Sequence, residues 1–103
     1  MYRARLIVEV KFGRFKDYTE ICEKMNDLAK SRGWAESTTW VTAVGTLNEV
    51  IVDTGYPDLA TMEREQDAFN TDPQARELVV SAVDCIVQGS GRSELISSIP
   101  ALA

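Results

Sequence analysis

The chain has 103 residues and a formal net charge of −5, with 16 acidic and 11 basic side chains. That length supports one modest hydrophobic core, so we expect a single domain over residues 1–103. The acidic balance argues against a nucleic-acid partner, which needs a concentrated basic surface. No apolar run approaches the roughly 18 to 20 residues that span a bilayer, and Met1 leads directly into a strand rather than a signal peptide. The sequence therefore predicts a cytoplasmic protein without a membrane partner.

Histidine is absent from the sequence. The usual nitrogen ligand for haem, zinc or copper is therefore missing, as is the commonest general base near neutral pH. Cys22 and Cys85 are too far apart for a CxxC motif and are predicted to be buried free thiols. No DxD or EF-hand spacing indicates a magnesium or calcium site. We therefore predict no metal site and no cofactor.

The first predicted element is a strand over residues 2–12 in which apolar and charged positions alternate. Side chains in a strand point to opposite faces in turn. The core face then receives Ala4, Leu6, Val8 and Val10. The other face receives Arg3, Arg5, Glu9 and Lys11, so it is not an ordinary core.

A predicted amphipathic helix over residues 14–32 follows, because apolar side chains recur there at three- and four-residue spacing and Gly33 can end it. The pattern then changes to period two over residues 38–47 and again over 49–56, which predicts two strands. The tight link around Asn48 makes them an antiparallel hairpin.

Two helix starts come next. Asp58 or Thr61 can cap the first helix, and Asp72 followed by Pro73 is typical of the first turn of a second. We expect that second helix to end near residues 88–89, and we expect a last short strand over residues 92–97.

The predicted order is strand, helix, strand, strand, helix pair, strand. It matches the ferredoxin-like βαββαβ arrangement, an α+β fold with a four-stranded antiparallel sheet and a broken second helix. Helices cover one face of such a sheet and leave the other open. Strand periodicity places these residues on the open face: Arg5, Ile7, Glu9, Ile51 and Asp53, with Trp40 and Thr42 from the second strand. Two such faces packed together in a homodimer would enclose a partly polar cavity.

The sequence resembles the dimeric α+β barrel superfamily, especially its small NIPSNAP-like and antibiotic-biosynthesis-monooxygenase-like domains. The resemblance rests on the element order, the strand at 49–56 with the Pro-Asp-Leu-Ala sequence that follows it at 57–60, and the Phe-Asn-Thr-Asp-Pro sequence at 69–73. These motifs report turn and packing chemistry, so they are specific for architecture and weak for activity.

The resemblance implies several activities, including cofactor-independent monooxygenases, cyclases and isomerases. Members that depend on histidine are excluded here. For a monooxygenase, the resemblance would imply an aromatic substrate activated as a carbanion, with tryptophan, asparagine and tyrosine around the cavity. Trp40 and Tyr56 are the residues that we match to this pattern, and no asparagine lies on a matching strand.

The candidate catalytic residues are Glu9 and Asp53, since two carboxylates facing one enclosed space would repel and one of them could then abstract a proton. Arg5 could stabilise an enolate or bind a carboxylate, or it could simply pair with Glu9 or Asp53. Trp40 could be a substrate platform or a packing residue. The predicted ligand-binding residues are Arg5, Ile7, Trp40, Thr42, Ile51 and Tyr56.

Three functions remain open from the sequence. The leading hypothesis is a homodimer that binds a small organic molecule. The alternative is a cofactor-independent monooxygenase or a proton-transferring cyclase or isomerase acting on an aromatic or polyketide-like substrate. The third is a structural dimer whose interface is filled by side chains.

Overall fold

A computed structural model describes residues 1–99; residues 100–103, the end of the predicted domain, lie outside the described residues. The described residues form seven elements in this order: β1 (Tyr2–Glu9), α1 (Phe15–Arg32), β2 (Ser37–Val41), β3 (Glu49–Tyr56), α2 (Leu59–Thr71), α3 (Pro73–Asp84) and β4 (Arg92–Ser97).

The strands form a four-stranded sheet in the order β2-β3-β1-β4. All three neighbouring pairs are antiparallel. This order and the element sequence confirm the ferredoxin-like α+β fold, with α2 and α3 together in the place of its second helix. The three helices pack on one side of the sheet, which we call the helix side, and the opposite side is called the open face.

The helix ends follow the local sequence signals. Gly33 ends α1 in a left-handed conformation with φ of 73°, which glycine adopts without steric cost. The Asp58 carboxylate caps α2 by accepting a hydrogen bond from the Thr61 N–H at 2.7 Å, and Asp72 accepts hydrogen bonds from two N–H groups of α3. Pro73 opens α3. The break between α2 and α3 is therefore encoded by the Asp72-Pro73 pair.

Three predicted boundaries are wrong. The first strand ends at Glu9 rather than at Phe12, and Val10 beyond it forms only an isolated bridge. The second strand ends at Val41 rather than at Leu47, because Gly45 has φ of 135° and Asn48 has φ of 57°, values that extended backbone does not adopt. The helix expected to reach residues 88–89 ends at Asp84. Beyond that point the backbone pairs with the end of β1 instead, through the bridge between Val10 and Ile86.

The solid part of the core lies at one end of the helix side. Five buried side chains pack together there: Val8, Val10, Tyr18, Val50 and Cys85. Towards the other end of the same strands the packing loosens, since Leu6 points to the helices and is still 40% exposed. The candidate functional site occupies this looser region.

Candidate functional site

The pairing register places most of the predicted site residues on the open face. Arg5 lies opposite Asp53 on one side and Glu94 on the other. In the next row Ile7 lies opposite Ile51, which in turn lies opposite Trp40. A mainly apolar row is therefore flanked by an ionic one.

Asp53 is the centre of the ionic row. Its side chain lies 3.4 Å from Arg3 Nη1 and 3.9 Å from Arg5 Nε, and it is only 7% exposed. Among residues 1–99 its Oδ1 atom has no hydrogen-bond partner. Arg5 thus pairs with Asp53 across neighbouring strands. This pairing is one of the two roles that the sequence allowed for Arg5, the other being contact with a substrate.

Glu9 and Asp53 are not brought together. Glu9 is exposed and lies opposite Glu49, whereas Asp53 lies opposite Arg5. Four residues of extended strand separate these two positions, which corresponds to about 13 Å. Within one chain the two carboxylates are too far apart to act as a mutually repelling acid–base pair.

Of the two remaining predicted ligand residues, Tyr56 lies apart from the others. Thr42 follows the end of β2 and donates its N–H to the Glu49 carbonyl at 3.1 Å. Tyr56 alternates with Val52 and Thr54 on β3, so it faces the helices and is buried. It therefore belongs to a different site from Trp40.

That site is a cavity of about 690 Å³ between the sheet and the helix layer. Its volume is in the range of small-molecule pockets. All three helices and all four strands contribute to it, and most of its side chains are apolar, among them Leu6, Ile21, Met25, Val52, Phe69 and Ala82. The sequence predicted an enclosed space on the open face, between two copies of the sheet, and not on the helix side.

The end of the cavity near β2 and β3 is polar. Glu65 on α2 accepts a hydrogen bond from the Ala35 N–H at 2.6 Å. Asn26 exchanges two hydrogen bonds with the Ser37 backbone, at 2.8 and 2.9 Å. The Ser37 hydroxyl is in turn hydrogen bonded to the Thr54 hydroxyl. These bonds hold α1, α2 and the edge strand β2 in fixed positions around the polar end.

Burial keeps the titratable hydroxyl and thiol groups of the cavity protonated. It raises the pKa of Tyr56, and the nearby negative charge of Glu65 raises it further. Burial also raises the pKa of Tyr18 and of Cys22. A group that resists losing its proton is a hydrogen-bond donor rather than a base or a thiolate nucleophile. Tyr18, Cys22 and Tyr56 are therefore suited to binding.

The opposite end of the cavity is apolar and open. Val79 and Val83 on α3 and Leu95 on β4 line it together with Leu6, and all four side chains are exposed. Exposed apolar side chains that line one cavity mark the side from which solvent, or a ligand, enters.

Glu65 was missed by the sequence analysis, although a signal was present. Met62 and Phe69 lie on the apolar face of α2, and Glu65 falls at helical spacing between them. A glutamate on that face departs from the amphipathic pattern. Such an interruption is more informative than the charges on the solvated face.

Residues 1–99 contain no group of three or more cysteine, aspartate or glutamate side chains that could hold a metal ion. Within the same residues, no helix is both long and apolar enough to cross a membrane.

The family profile that matches the sequence is NIPSNAP, over residues 9–97. The chain therefore belongs to the NIPSNAP family. No curated protein is similar enough in sequence to match it.

Solved structures with the same fold include NIPSNAP proteins and a monooxygenase. An uncharacterized NIPSNAP domain protein from Burkholderia xenovorans shares 18% identity over 96% of this chain and 95% of its own, with a TM-score of 0.78. A NIPSNAP family protein from Agrobacterium tumefaciens shares 17% identity over 95% and 92%, with a TM-score of 0.77. An antibiotic biosynthesis monooxygenase shares 11% identity over 97% and 100%, with a TM-score of 0.75. Identities this low establish the fold alone.

Proposed function

We propose that this protein is a homodimer that binds a small organic molecule in the cavity between its sheet and its helices. The observation that supports binding most directly is the cavity itself, about 690 Å³ with an apolar mouth and a polar end. Larger side chains at the lining positions could have filled this cavity. Small residues at Ala4, Ser37, Thr39 and Ala82 leave it open.

The proposed dimer interface is the open face. Trp40 is 57% exposed there, beside apolar Ile51 and the charged row around Asp53. Large exposed aromatics and arginines are typical of interface centres. The face also contains both signs of charge, with Arg3, Arg5 and Arg92 near Asp53, Glu49 and Glu94, so two copies can pair opposite charges across a shared axis.

Trp40→Asp tests the dimer, because a carboxylate would be buried without a partner at the interface centre. We expect sedimentation velocity to give a dimer for the wild type and a monomer for this variant. Val80→Asp, on the exposed outer surface of α3, should stay dimeric. A wild type that is monomeric at every concentration tested would contradict the homodimer.

Ligand binding is tested with N-phenyl-1-naphthylamine, an uncharged apolar probe whose fluorescence rises in an apolar site. We expect saturable binding of one probe per chain. Val79→Trp should weaken it about tenfold or more by filling the mouth. Val80→Trp is the matched control, since the adjacent Val80 does not line the cavity.

Circular dichroism should show both α3 variants folded. No saturable signal for the wild type would contradict the binding function. An equal loss of binding in both tryptophan variants would contradict the assignment of binding to the cavity.

A cofactor-independent oxygenase is the second candidate, and one observation favours it. The residue types that the resemblance implies do line the cavity, as Trp34, Asn26 and Tyr56. Both ends of the Asn26 amide are bonded to the β2 backbone, however, so binding is the function that we favour.

Oxygen uptake with an anthrone, an aromatic ketone with an easily removed methylene proton, separates the two candidates. Uptake that the Val79→Trp variant loses would support the enzyme, and binding without uptake would support a carrier or sensor. Glu9 and Asp53 lie on the open face, away from the cavity. Their predicted role in proton transfer is therefore tested with the variants Glu9→Gln and Asp53→Asn, in the same oxygen-uptake assay.

A further inference from the structure

The charges around the cavity are one-sided. Arg5 and Glu94 contribute to its wall, but they are opposite each other in register and Arg5 pairs with Asp53 on the open face. The remaining charged side chain among the described residues of the wall is Glu65. The described wall therefore contains one carboxylate, Glu65, that is not balanced by a cation, because its single arginine is paired with Asp53.

From this asymmetry we propose that the cavity selects a molecule with an apolar body and one hydrogen-bond-donating group, a hydroxyl or an ammonium, and rejects anions. The inference rests on the binding function proposed above and specifies its ligand class. It concerns Glu65, a charged residue on the face of α2 where the amphipathic pattern predicts an apolar side chain.

Glu65 can recognise such a donor without losing its present role. Its Oε1 atom accepts the Ala35 N–H at 2.6 Å, which fixes the carboxylate at the polar end. A carboxylate has about four lone-pair sites on two oxygens, so it can accept further hydrogen bonds. Bonds to an ionised acceptor are roughly twice as strong as neutral ones. The Tyr56 phenol, held protonated beside Glu65, can donate to the same ligand group.

Binding of an anionic ligand in the cavity would be unfavourable. Its charge would leave water for an apolar cavity and lie near a second negative charge. The one positive residue of the described wall, Arg5, is paired with Asp53 and does not offset either penalty. The arginines that could bind a carboxylate, Arg3 and Arg5, are held at Asp53 on the other side of the sheet.

The shape of the cavity also determines the orientation of the bound ligand. One sheet row runs from Ser37 through Thr54 and Ala4 to Leu95, and three strand spacings correspond to about 14 Å. Its β2 end is the polar end near Glu65, and its β4 end is the apolar mouth. The donor group should therefore enter first, with the apolar body filling the space towards α3.

The test uses three naphthalenes that differ in one substituent: 2-naphthylmethanol, 2-naphthylmethylammonium and 2-naphthoate. Each is titrated by calorimetry and by displacement of N-phenyl-1-naphthylamine at neutral pH. We expect the alcohol and the ammonium to bind, and the naphthoate to bind at least tenfold more weakly than the alcohol. Naphthoate binding as tightly as the alcohol would overturn the inference and leave small-molecule binding intact.

Glu65→Gln identifies the residue responsible, because glutamine can still accept the Ala35 N–H. We expect the preference for ammonium over naphthoate to fall about tenfold or more, as for loss of a hydrogen bond to a charged group. Glu63→Gln, on the exposed surface of the same helix, should leave that preference unchanged. An unchanged preference in Glu65→Gln would overturn the role of Glu65.

The failure of the inference and of the binding function can be told apart. If none of the three naphthalenes binds the wild type, the binding function itself is contradicted and the inference with it. If binding occurs without charge preference, only the inference is contradicted.

Discussion

Two neighbouring residues of β1 show how differently the two sides of the sheet are packed. Leu6 points to the helices and is 40% exposed, whereas Ile7 points to the open face and is 2% exposed. The side covered by helices is thus the looser one at this position. A helix layer over a sheet does not by itself make a filled core; the volumes of the facing side chains decide that.

The helix side itself is divided in the same way. Val8 and Val50 face each other in its solid end and are fully buried. Two residues along, the row through Leu6 and Val52 has Thr39 at one edge and Ser93 at the other, and the next row contains Ala4, Ser37 and Thr54. Small and polar side chains at these positions cannot reach the helices. The hollow therefore follows from side-chain size and not from a distortion of the fold.

The largest expected effect is on the free energy of unfolding. A residue on the open face should cost more to truncate than its neighbour under the helices. Ile7→Ala should lower the free energy of unfolding by about 3 kcal/mol, because it empties a buried position. Leu6→Ala should cost only about 1 kcal/mol, because its surroundings are already open. Urea unfolding at one protein concentration measures both. A larger loss for Leu6→Ala would contradict the comparison.

The next effect concerns the ionic row of the open face. Asp53→Ala removes the buried carboxylate that neutralises Arg3 and Arg5. We expect a loss of about 2 kcal/mol in the free energy of unfolding, less than for a fully buried pair because both arginines reach solvent. Asp67→Ala on the surface of α2 is the control and should leave stability unchanged. Equal stability of the two variants would mean that the ionic row is not structural.

A smaller effect distinguishes the two ends of the helix side. Val8→Leu and Val52→Leu each add one methylene to a strand residue facing the helices. The first should cost about 1 kcal/mol, because no space is left in the solid end. The second should be close to neutral, since its added group can enter the cavity. Equal costs in urea unfolding would show that the cavity is not available to side chains.

The smallest effect concerns pH and α3, which forms one wall of the cavity. The hydrogen bond from Arg32 holds the pKa of Asp72 below its usual range. A carboxyl group whose pKa is lower in the folded state stabilises the fold above its unfolded pKa, about 4, and loses that contribution as the pH falls. As the pH is lowered through about 4, the melting temperature of the wild type should therefore decrease. The decrease should be less steep in Asp72→Asn. Identical slopes in differential scanning calorimetry would contradict this role.

The sequence predicted the architecture well because its signals are local. Proline and capping carboxylates mark the helix starts, and period-two alternation correctly assigned the limits of β3 and β4 and the facing of β1. The site was harder to predict. The distance between Glu9 and Asp53 depends on the register in which the strands pair. Whether Leu6 is packed against the helices depends on the volumes of side chains that are distant in sequence. Neither quantity is encoded in spacing along one strand.

The most direct test of the account uses the two tryptophans, which lie on opposite sides of the sheet. Trp34 lines the cavity and Trp40 lies on the open face. A ¹⁵N NMR spectrum resolves both indole N–H signals, and Trp40→Phe assigns them. Titration with N-phenyl-1-naphthylamine should shift the Trp34 signal and leave that of Trp40 in place. A shift of the Trp40 signal alone would place the ligand between the sheets of a dimer and contradict binding in the cavity.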